Sequence, residues 1–500
     1  MTPLSLILFC VFVCLVLWLW CNRRFISVYR KVGSKHITKS EWYSFLFRSD
    51  REEVLKSLHS ISDHAITNGG LSAIWMLHRF YLIIAGAEDA EYVLKYHLEK
   101  DDLMWALRFY TRTSSVFATV PIWRPRRKII SALLSHRNVT KFEPVFAKNS
   151  KILTEQLQPH VGKDAFSIWE HLNALTLDIT CITILGIDLN SQMNLQDPLR
   201  TAVTGVMDLA GEILMQFWYH VEFIMKRTKN YRKFLKYDQV INDYVNVAMK
   251  KHAQITKDDS KTLSIDNEEG EAFSLLHLLT ELKEQRGFDH TMIHDESLGL
   301  LLAASETTAV SSSMVCVLLS RVPHVQHKVY QELMEVFGES DRDVTNEDLP
   351  RLRYLEAVIK ETQRLYPPGP YITRKALEDF VLPSGVEVPK GTNFLISIYA
   401  LNRNPKYWGP DADEFRPERF LDGSFSEKTI HFAFSNGPRG CPGTVFAMMV
   451  MKTVLATLLR QYRLLPAAPG APLRFQLGLT SKAVDKFSVK IQLRVDRKSV

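Results

Sequence analysis

The chain is 500 residues long, 46% hydrophobic and 23% charged, an ordinary globular balance that can bury one large core. Its formal charge of +7 is mild over that length, and Lys and Arg form no dense runs, which excludes a nucleic-acid-binding surface. The six cysteines (Cys10, Cys14, Cys21, Cys181, Cys316 and Cys441) include no C-x-x-C pair, which excludes a zinc or dithiol motif and a disulfide scaffold.

Leu4–Cys21 is apolar apart from Ser5. As a helix it would reach about 27 Å, close to the roughly 30 Å of a bilayer core. Asn22, Arg23 and Arg24 follow at once, and no small-x-small cleavage site closes the run. These features predict a transmembrane signal anchor over residues 1–24. The positive flank places residues 25–500 in the cytosol, as one domain. Short apolar runs around Gly70 and Gly86 predict strands within 71–90. Apolar residues at i, i+3 and i+4 predict helices over 145–160, 165–187, 200–227, 231–256, 274–286 and 291–321. The last of these is apolar enough to be a buried central helix. The polar stretch 257–271 reads as an exposed loop. Helices over 323–338 and 347–366 follow, and Pro367-Pro368 ends the second. Short strands and turns fill 370–398, a long helix runs from about Gly443 to Tyr462, and 473–495 reads as strands. No linker, low-complexity tract or repeat divides the chain. The fold class is mostly α with minor β.

Phe434-Ser-Asn-Gly437-Pro-Arg439-Gly-Cys441-Pro-Gly443 presents one thiol on a glycine-rich loop just before the last long helix. The helix N-terminus and Arg439 favour a thiolate at Cys441. Gly437 and Gly443 let the backbone come close to something flat and bulky. The bland alternative is a small buried cysteine. Mid-way along the buried helix, Ala303-Ala304-Ser305-Glu306-Thr307-Thr308 sets an acid beside a hydroxyl. That is costly in an apolar helix unless the groups are solvated or used. Its bland alternative is Ser/Thr back-bonding to helix carbonyls. Glu361 and Arg364, at i and i+3, share a helix face and can pair.

The spacing F-x-x-G-x-R-x-C-x-G resembles the haem-binding signature of the cytochrome P-450 superfamily. Its five fixed residues should recur by chance in roughly one chain in ten thousand of this length. Glu361-Thr-Gln-Arg364 resembles the family's E-x-x-R, Phe415-Arg-Pro-Glu-Arg419-Phe its P-E-R-F, and residues 303–308 its oxygen-activation motif. The resemblance implies a cytochrome P-450 fold with a long central helix over the haem. It implies Cys441 as the axial thiolate ligand of haem b, with Phe434, Gly437, Arg439 and Gly443 around the cofactor. Trp123 and Arg127, matching W-x-x-x-R, would hold a propionate, with Arg374 and Arg439 as further candidates. Pro125, between them, is expected in a first helical turn. Arg419 would join Glu361 and Arg364 in a buried triad that fixes the cysteine loop. Glu306 and Thr307 would relay protons during oxygen activation.

Leu365-Tyr-Pro-Pro and Ala400-Leu-Asn-Arg-Asn-Pro-Lys-Tyr-Trp resemble animal microsomal members, in particular the group containing the fourth family's fatty-acid hydroxylases. Departures exist. Ala304 replaces the usual Gly, Asn402 stands where His is common, and Arg30-Lys-Val-Gly-Ser replaces a proline-rich hinge. The loop before Trp123 lacks the usual glycines. Ala303 stands where many fourth-family members carry a glutamate that forms an ester with a haem methyl.

The resemblance implies a monooxygenase that inserts one atom of O2 into a lipophilic substrate: a fatty acid, terpenoid, steroid or xenobiotic. Electrons would come from an NADPH–cytochrome reductase docked near Arg124, Arg126 and Lys128, with cytochrome b5 an optional partner. The expected setting is the endoplasmic reticulum membrane with the catalytic domain in the cytosol, and no nucleic acid. Substrate contacts are expected from 105–120, Leu298–Ser305, Pro370–Thr373 and Leu477–Thr480. Two alternatives stay open: a reductase-independent peroxide isomerase or dehydratase, and a membrane-bound haem- or lipid-binding protein without turnover. NADPH consumption separates them.

Overall fold

A computed structural model describes residues 3–33, 50–76, 79–258, 274–286, 289–423 and 431–494. Most of the polar stretch at 257–271 therefore lies outside the described residues. The first helix, α1 (Pro3–Val32), is continuous across residue 24. Its character changes there. Leu6 to Trp20 are largely exposed, whereas Val28 and Val32 are buried and Phe25 packs edge-on against Trp75. Arg24 pairs with Asp379 at 2.9 Å. Three described helices are long and apolar enough to cross a membrane; the window in α1 is wholly unburied, and the other two pack inside the protein.

Helix α2 (Arg51–Thr67) is started by Asp50, whose carboxylate accepts from the Glu52 and Glu53 amides. Strands β1 (Leu71–Met76) and β2 (Arg79–Ile84) form an antiparallel pair with Leu71 opposite Ile84. They join β3 (Tyr371–Lys375) and β4 (Asn393–Ser397) in a sheet of order β1-β2-β4-β3, with β2 and β4 parallel. Helices α3 (Ala87–Tyr96) and α4 (Trp105–Thr111) follow the first hairpin. Helix α5 (Val120–Leu133) carries Pro121 in its first turn, so Pro125 falls in the second and not, as expected, in the first. Its ring removes the bond to the Pro121 carbonyl.

Helices α6 (Glu143–Leu157), α7 (Ile168–Thr180), α8 (Pro198–Met215), α9 (Lys229–Asp258) and α10 (Leu275–Arg286) form the helical body. The helix expected over 200–227 stops at Met215, because Gln216 turns extended (φ −111°, ψ 105°). The one expected over 165–187 passes into a π-turn at Cys181–Leu185, and Gly186 ends it in the left-handed conformation. Helix α11 (His290–Arg321) runs through the centre, followed by α12 (Pro323–Phe337) and α13 (Arg353–Leu365). The last helix, α14 (Thr444–Gln461), leads into β5 (Tyr462–Pro466). The tail forms β6 (Phe475–Gln476), β7 (Lys482–Ala483) and β8 (Ser488–Leu493), with β5 and β8 antiparallel. One apolar core packs α6, α7, α11, α13 and α14 together, through residues such as Phe146, Leu172, Val315, Val358 and Leu455.

Between Ile293 and Ser320, α11 is buried at every position except Ala303, Ala304 and Thr307. These three share one face, at i, i+1 and i+4. An interior helix that is open on one short stripe marks an internal chamber.

Candidate active site

Cys441 lies two residues ahead of the Gly443 N-cap of α14. Its amide donates to Phe434 O at 2.8 Å. Its side chain opens on a cavity of about 370 Å³ lined also by Arg127, Lys360, His431, Phe434, Gly437 and Met448. Burial around this cavity pushes the Cys441 thiol up, while the Gly443 amide, Arg127 and the Thr444 hydroxyl pull it down. The helix-terminal amide and a neighbouring arginine thus act in the direction expected for Cys441, and burial opposes them. The nearby cation is not the expected one. Arg127 acts on Cys441, whereas Arg439 turns away, donating to Ala118 O at 2.6 Å and lying 4.6 Å from the Trp123 ring.

The two glycines have different grounds from those expected. Gly437 has φ +72°, and a Cβ there would come within 2.9 Å of the Leu94 carbonyl carbon, so it accommodates the end of α3. At Gly443 a Cβ would meet only Cys441 Sγ, at 3.9 Å.

Arg374 and Arg439 sit close together near Lys100. Burial, then the Arg439 charge, pulls Arg374 down to about 9. Burial pulls Arg439 down to about 10. Lys100 is lowered by burial and by both arginines. Arg374 Nε and Arg439 Nε and Nη1 are buried with no hydrogen-bond partner among the described residues. Crowded cations with spare N–H groups are unfavourable unless an anion joins them. This donor set fits the two carboxylates of a haem, and the open thiol fits its iron. Lys100 was not among the sequence candidates, because no motif surrounds Lys100-Asp101. Its ammonium lies 4.7 Å from the Phe117 ring, and the adjacent Asp101 accepts from Tyr81 OH and Thr373 Oγ1, each at 2.7 Å.

Glu361, Arg364 and Arg419 meet with no side-chain exposure. Arg364 Nε and Nη2 donate to the two Glu361 oxygens at 2.6 and 2.9 Å, and Arg419 Nε donates to Oε1 at 3.0 Å. Arg364 also ties the carbonyls of Asn402, Ala412 and Glu414. Arg419 ties those of Trp408 and Asp411.

Glu306 and Thr307 are neighbours that face apart. Thr307 opens on the chamber and donates to Ala303 O at 2.8 Å, a back-bond to a carbonyl of its own helix. Glu306 is 1% exposed and accepts from Thr480 Oγ1 at 2.5 Å, with Lys482 Nζ 3.2 Å away. Lys482 in turn reaches Asp208 at 3.0 Å, whose side chain is 45% exposed. The sequence offered no signal for these partners, which arrive from α8 and the C-terminal hairpin. Thr480 and Thr373, expected to touch substrate, spend their hydroxyls on Glu306 and Asp101.

One expectation is overturned outright. Arg126, assigned to a docking surface with Arg124 and Lys128, is 5% exposed and pairs with buried Glu296 at 2.9 Å. A buried carboxylate needs a cation more than a solvated surface does.

A family model described as Cytochrome P-450 matches residues 44–486. The chain is 31% identical over 418 residues to cytochrome P-450 4d2 of Drosophila melanogaster, covering 80% of this chain and 82% of that protein. It is 29% identical over 441 residues to cytochrome P-450 4V2 of Homo sapiens, covering 86% and 82%. It is 30% identical over 378 residues to cytochrome P-450 4c21 of Blattella germanica, covering 74% and 75%.

Proposed function

This chain belongs to the cytochrome P-450 family, and on that premise we propose that Cys441 ligates the iron of a haem b and that the protein inserts one oxygen atom of O2 into a fatty acid, terpenoid, steroid or xenobiotic. Membership carries monooxygenase activity on lipophilic substrates, a haem held by a cysteine thiolate, and electrons from a redox partner. The finer reading is that the donor is an NADPH–cytochrome reductase, with cytochrome b5 as a second one. The exposed Arg124 and Lys128 offer it positive charge. α1 is consistent with a membrane anchor. We place the anchor at 1–24 in the endoplasmic reticulum membrane and residues 25–500 on the cytosolic side as a single domain.

When bound, the haem supplies the oxygen-activating chemistry. The chain's own residues do the rest. Arg374, Arg439 and Lys100 would neutralise the propionates, with Trp123 stacked under Arg439 and Arg127 on the cysteine side. Phe434 and Gly437 shape the loop that carries Cys441. The Glu361–Arg364–Arg419 triad anchors the backbone at 402–416, and the Asn402 Oδ1 acceptor passes that rigidity to the Phe432 amide, ahead of the cysteine loop. Thr307 presents its hydroxyl oxygen to the chamber. Glu306, behind the same helix, can exchange a proton toward solvent along Lys482 and Asp208.

The single observation that carries the reading is the open Cys441 thiol in a chain that also gathers buried Arg374 with half-buried Arg439 and Lys100, the two arginines holding spare N–H groups. The test is optical. The reduced, CO-bound protein should show the strongly red-shifted Soret band of a thiolate-ligated haem, and Cys441→Ala should lose it. A normal thiolate spectrum in that variant would falsify the assignment.

A further inference from the structure

Residues 112–119 connect α4 to α5 and lie across α11, held from both ends. On α11, Asp295 and Glu296 are 1% and 0% exposed. Asp295 Oδ2 accepts from the Thr113 amide at 3.1 Å and its hydroxyl at 2.6 Å. Glu296 Oε1 accepts from the Ser115 amide at 2.8 Å, and Oε2 from the Ser115 hydroxyl at 2.9 Å. Arg126 Nη1 on α5 bonds both Glu296 Oε1, at 2.9 Å, and Thr113 O, at 2.5 Å. Arg112, at the start of the segment, sits at φ +51°, a conformation a non-glycine residue adopts only when held. Asp238 on α9 holds it at 3.0 Å. At the far end, Arg439 of the cysteine loop bonds Ala118 O, and Arg108 Nε bonds Phe117 O at 2.7 Å.

This is a large investment of buried charge in one short connection. Two carboxylates and an arginine are taken out of water in order to bind backbone amides. The seat itself is a glycine. A Cβ on Gly299 would lie 2.7 Å from Ser114 Cβ and 3.4 Å from Val116 Cγ2, so the segment rests directly on the helix backbone. Gly299 is one turn, about 6 Å, ahead of Ala303, the most open residue of the chamber stripe. The segment therefore sits one turn from the open stripe, on the same face of α11.

We propose that Asp295, Glu296 and Arg126 are positioning residues that fix 113–116 as a rigid wall of the substrate chamber, and that Gly299 sets how bulky a ligand that chamber admits. The proposal rests on the haem-thiolate reading of the chamber and deepens it. Glu296→Gln keeps the shape but weakens the hold on Arg126 and Ser115. Gly299→Ala keeps the charges and forces the segment off its seat.

The test uses the full-length, haem-loaded protein and two readouts. Hydrogen exchange measures the wall, and optical titration with imidazole and 4-(4-biphenylyl)imidazole measures the chamber. In both probes the ring nitrogen takes the iron, so only the substituent senses the wall. In the unaltered protein the Thr113 and Ser115 amides should be protected. Both variants should speed their exchange at least tenfold. Both should shift the ratio of biphenylylimidazole to imidazole affinity at least fivefold, with imidazole itself within twofold. A general loss of stability would move both ligands together. If Glu296→Gln fails to hold haem, Ser115→Ala, which removes one hydroxyl bond, should show the same changes at about half the size. Rapid Thr113 and Ser115 exchange in the unaltered protein, or an unchanged affinity ratio in Gly299→Ala, overturns the proposal. The CO spectrum keeps the two readings apart: a normal thiolate band with an unmoved ratio sinks only the wall.

Discussion

Lys482 Nζ stands 3.2 Å from Glu306 Oε2, with the two side chains 13% and 2% exposed. Burial pushes the Glu306 carboxyl up, and Lys482 opposes it. Lys482 itself is held charged because Glu306 and Asp208 together outweigh its burial. The pair therefore binds protons more tightly folded than unfolded.

Lys482→Met removes the one cation that faces Glu306 among the described residues. Breaking a buried pair by deleting one partner costs about 3–5 kcal/mol. Glu306 already has a raised proton affinity when folded, and the variant raises it further. Stability tied to such a group is present at low pH and lost as pH climbs through the folded value, above the ordinary carboxylate range. Urea midpoints should thus differ more between variant and parent at pH 8 than at pH 5.5. Equal differences would show that Glu306 does not titrate in this window.

Arg364→Lys should fail nearly as badly as Arg364→Ala. Arg364 spreads its N–H groups over the Glu361 carboxylate and three backbone carbonyls, which one ammonium cannot reach together. Thermal unfolding and haem content after gel filtration measure this. The expected loss is about 3–5 kcal/mol for either change. Retention of haem by Arg364→Lys would mean that charge alone suffices.

Thr307→Ala should lower product formed per NADPH consumed, with electrons appearing as hydrogen peroxide. Positioned proton transfer typically contributes about 10²–10⁴-fold, so the loss should be visible with lauric acid or a coumarin. Unchanged coupling would remove Thr307 from the proton route.

The haem should come away intact. Ala303 opens on the chamber with a methyl group that cannot form an ester, and Glu306, the nearest acid on the helix, is turned to Thr480 and Lys482. Acid–organic extraction of the denatured protein should release all of it as unmodified haem b. Haem that stays with the polypeptide would point to another linkage.

Membrane attachment is tested with microsomes. The protein should resist alkaline carbonate extraction, and its C-terminus should be open to protease added from the cytosolic side. A soluble lumenal product cut near residue 21 would show a cleaved signal peptide instead.

Much was legible because it depends on short-range pattern. The long helices follow from i, i+3, i+4 periodicity, and the Cys441 loop from fixed spacing before a helix. The Glu361–Arg364 contact follows from one turn of helix. Boundaries set by single backbone angles were not: nothing periodic announces the extended Gln216 or the π-turn at Cys181–Leu185. What only the tertiary structure decided is which charges meet. Arg126 and Arg127 are adjacent in sequence, yet one is spent on Glu296 and the other faces Cys441. Glu306 finds Lys482 from across the chain, and Lys100 joins Arg374 and Arg439 with no motif to mark it. Sequence spacing determines which residues share an element and a face. The partner of a buried charge is chosen by which other elements pack there, because desolvation makes a distant counter-charge in contact worth more than a near neighbour facing water.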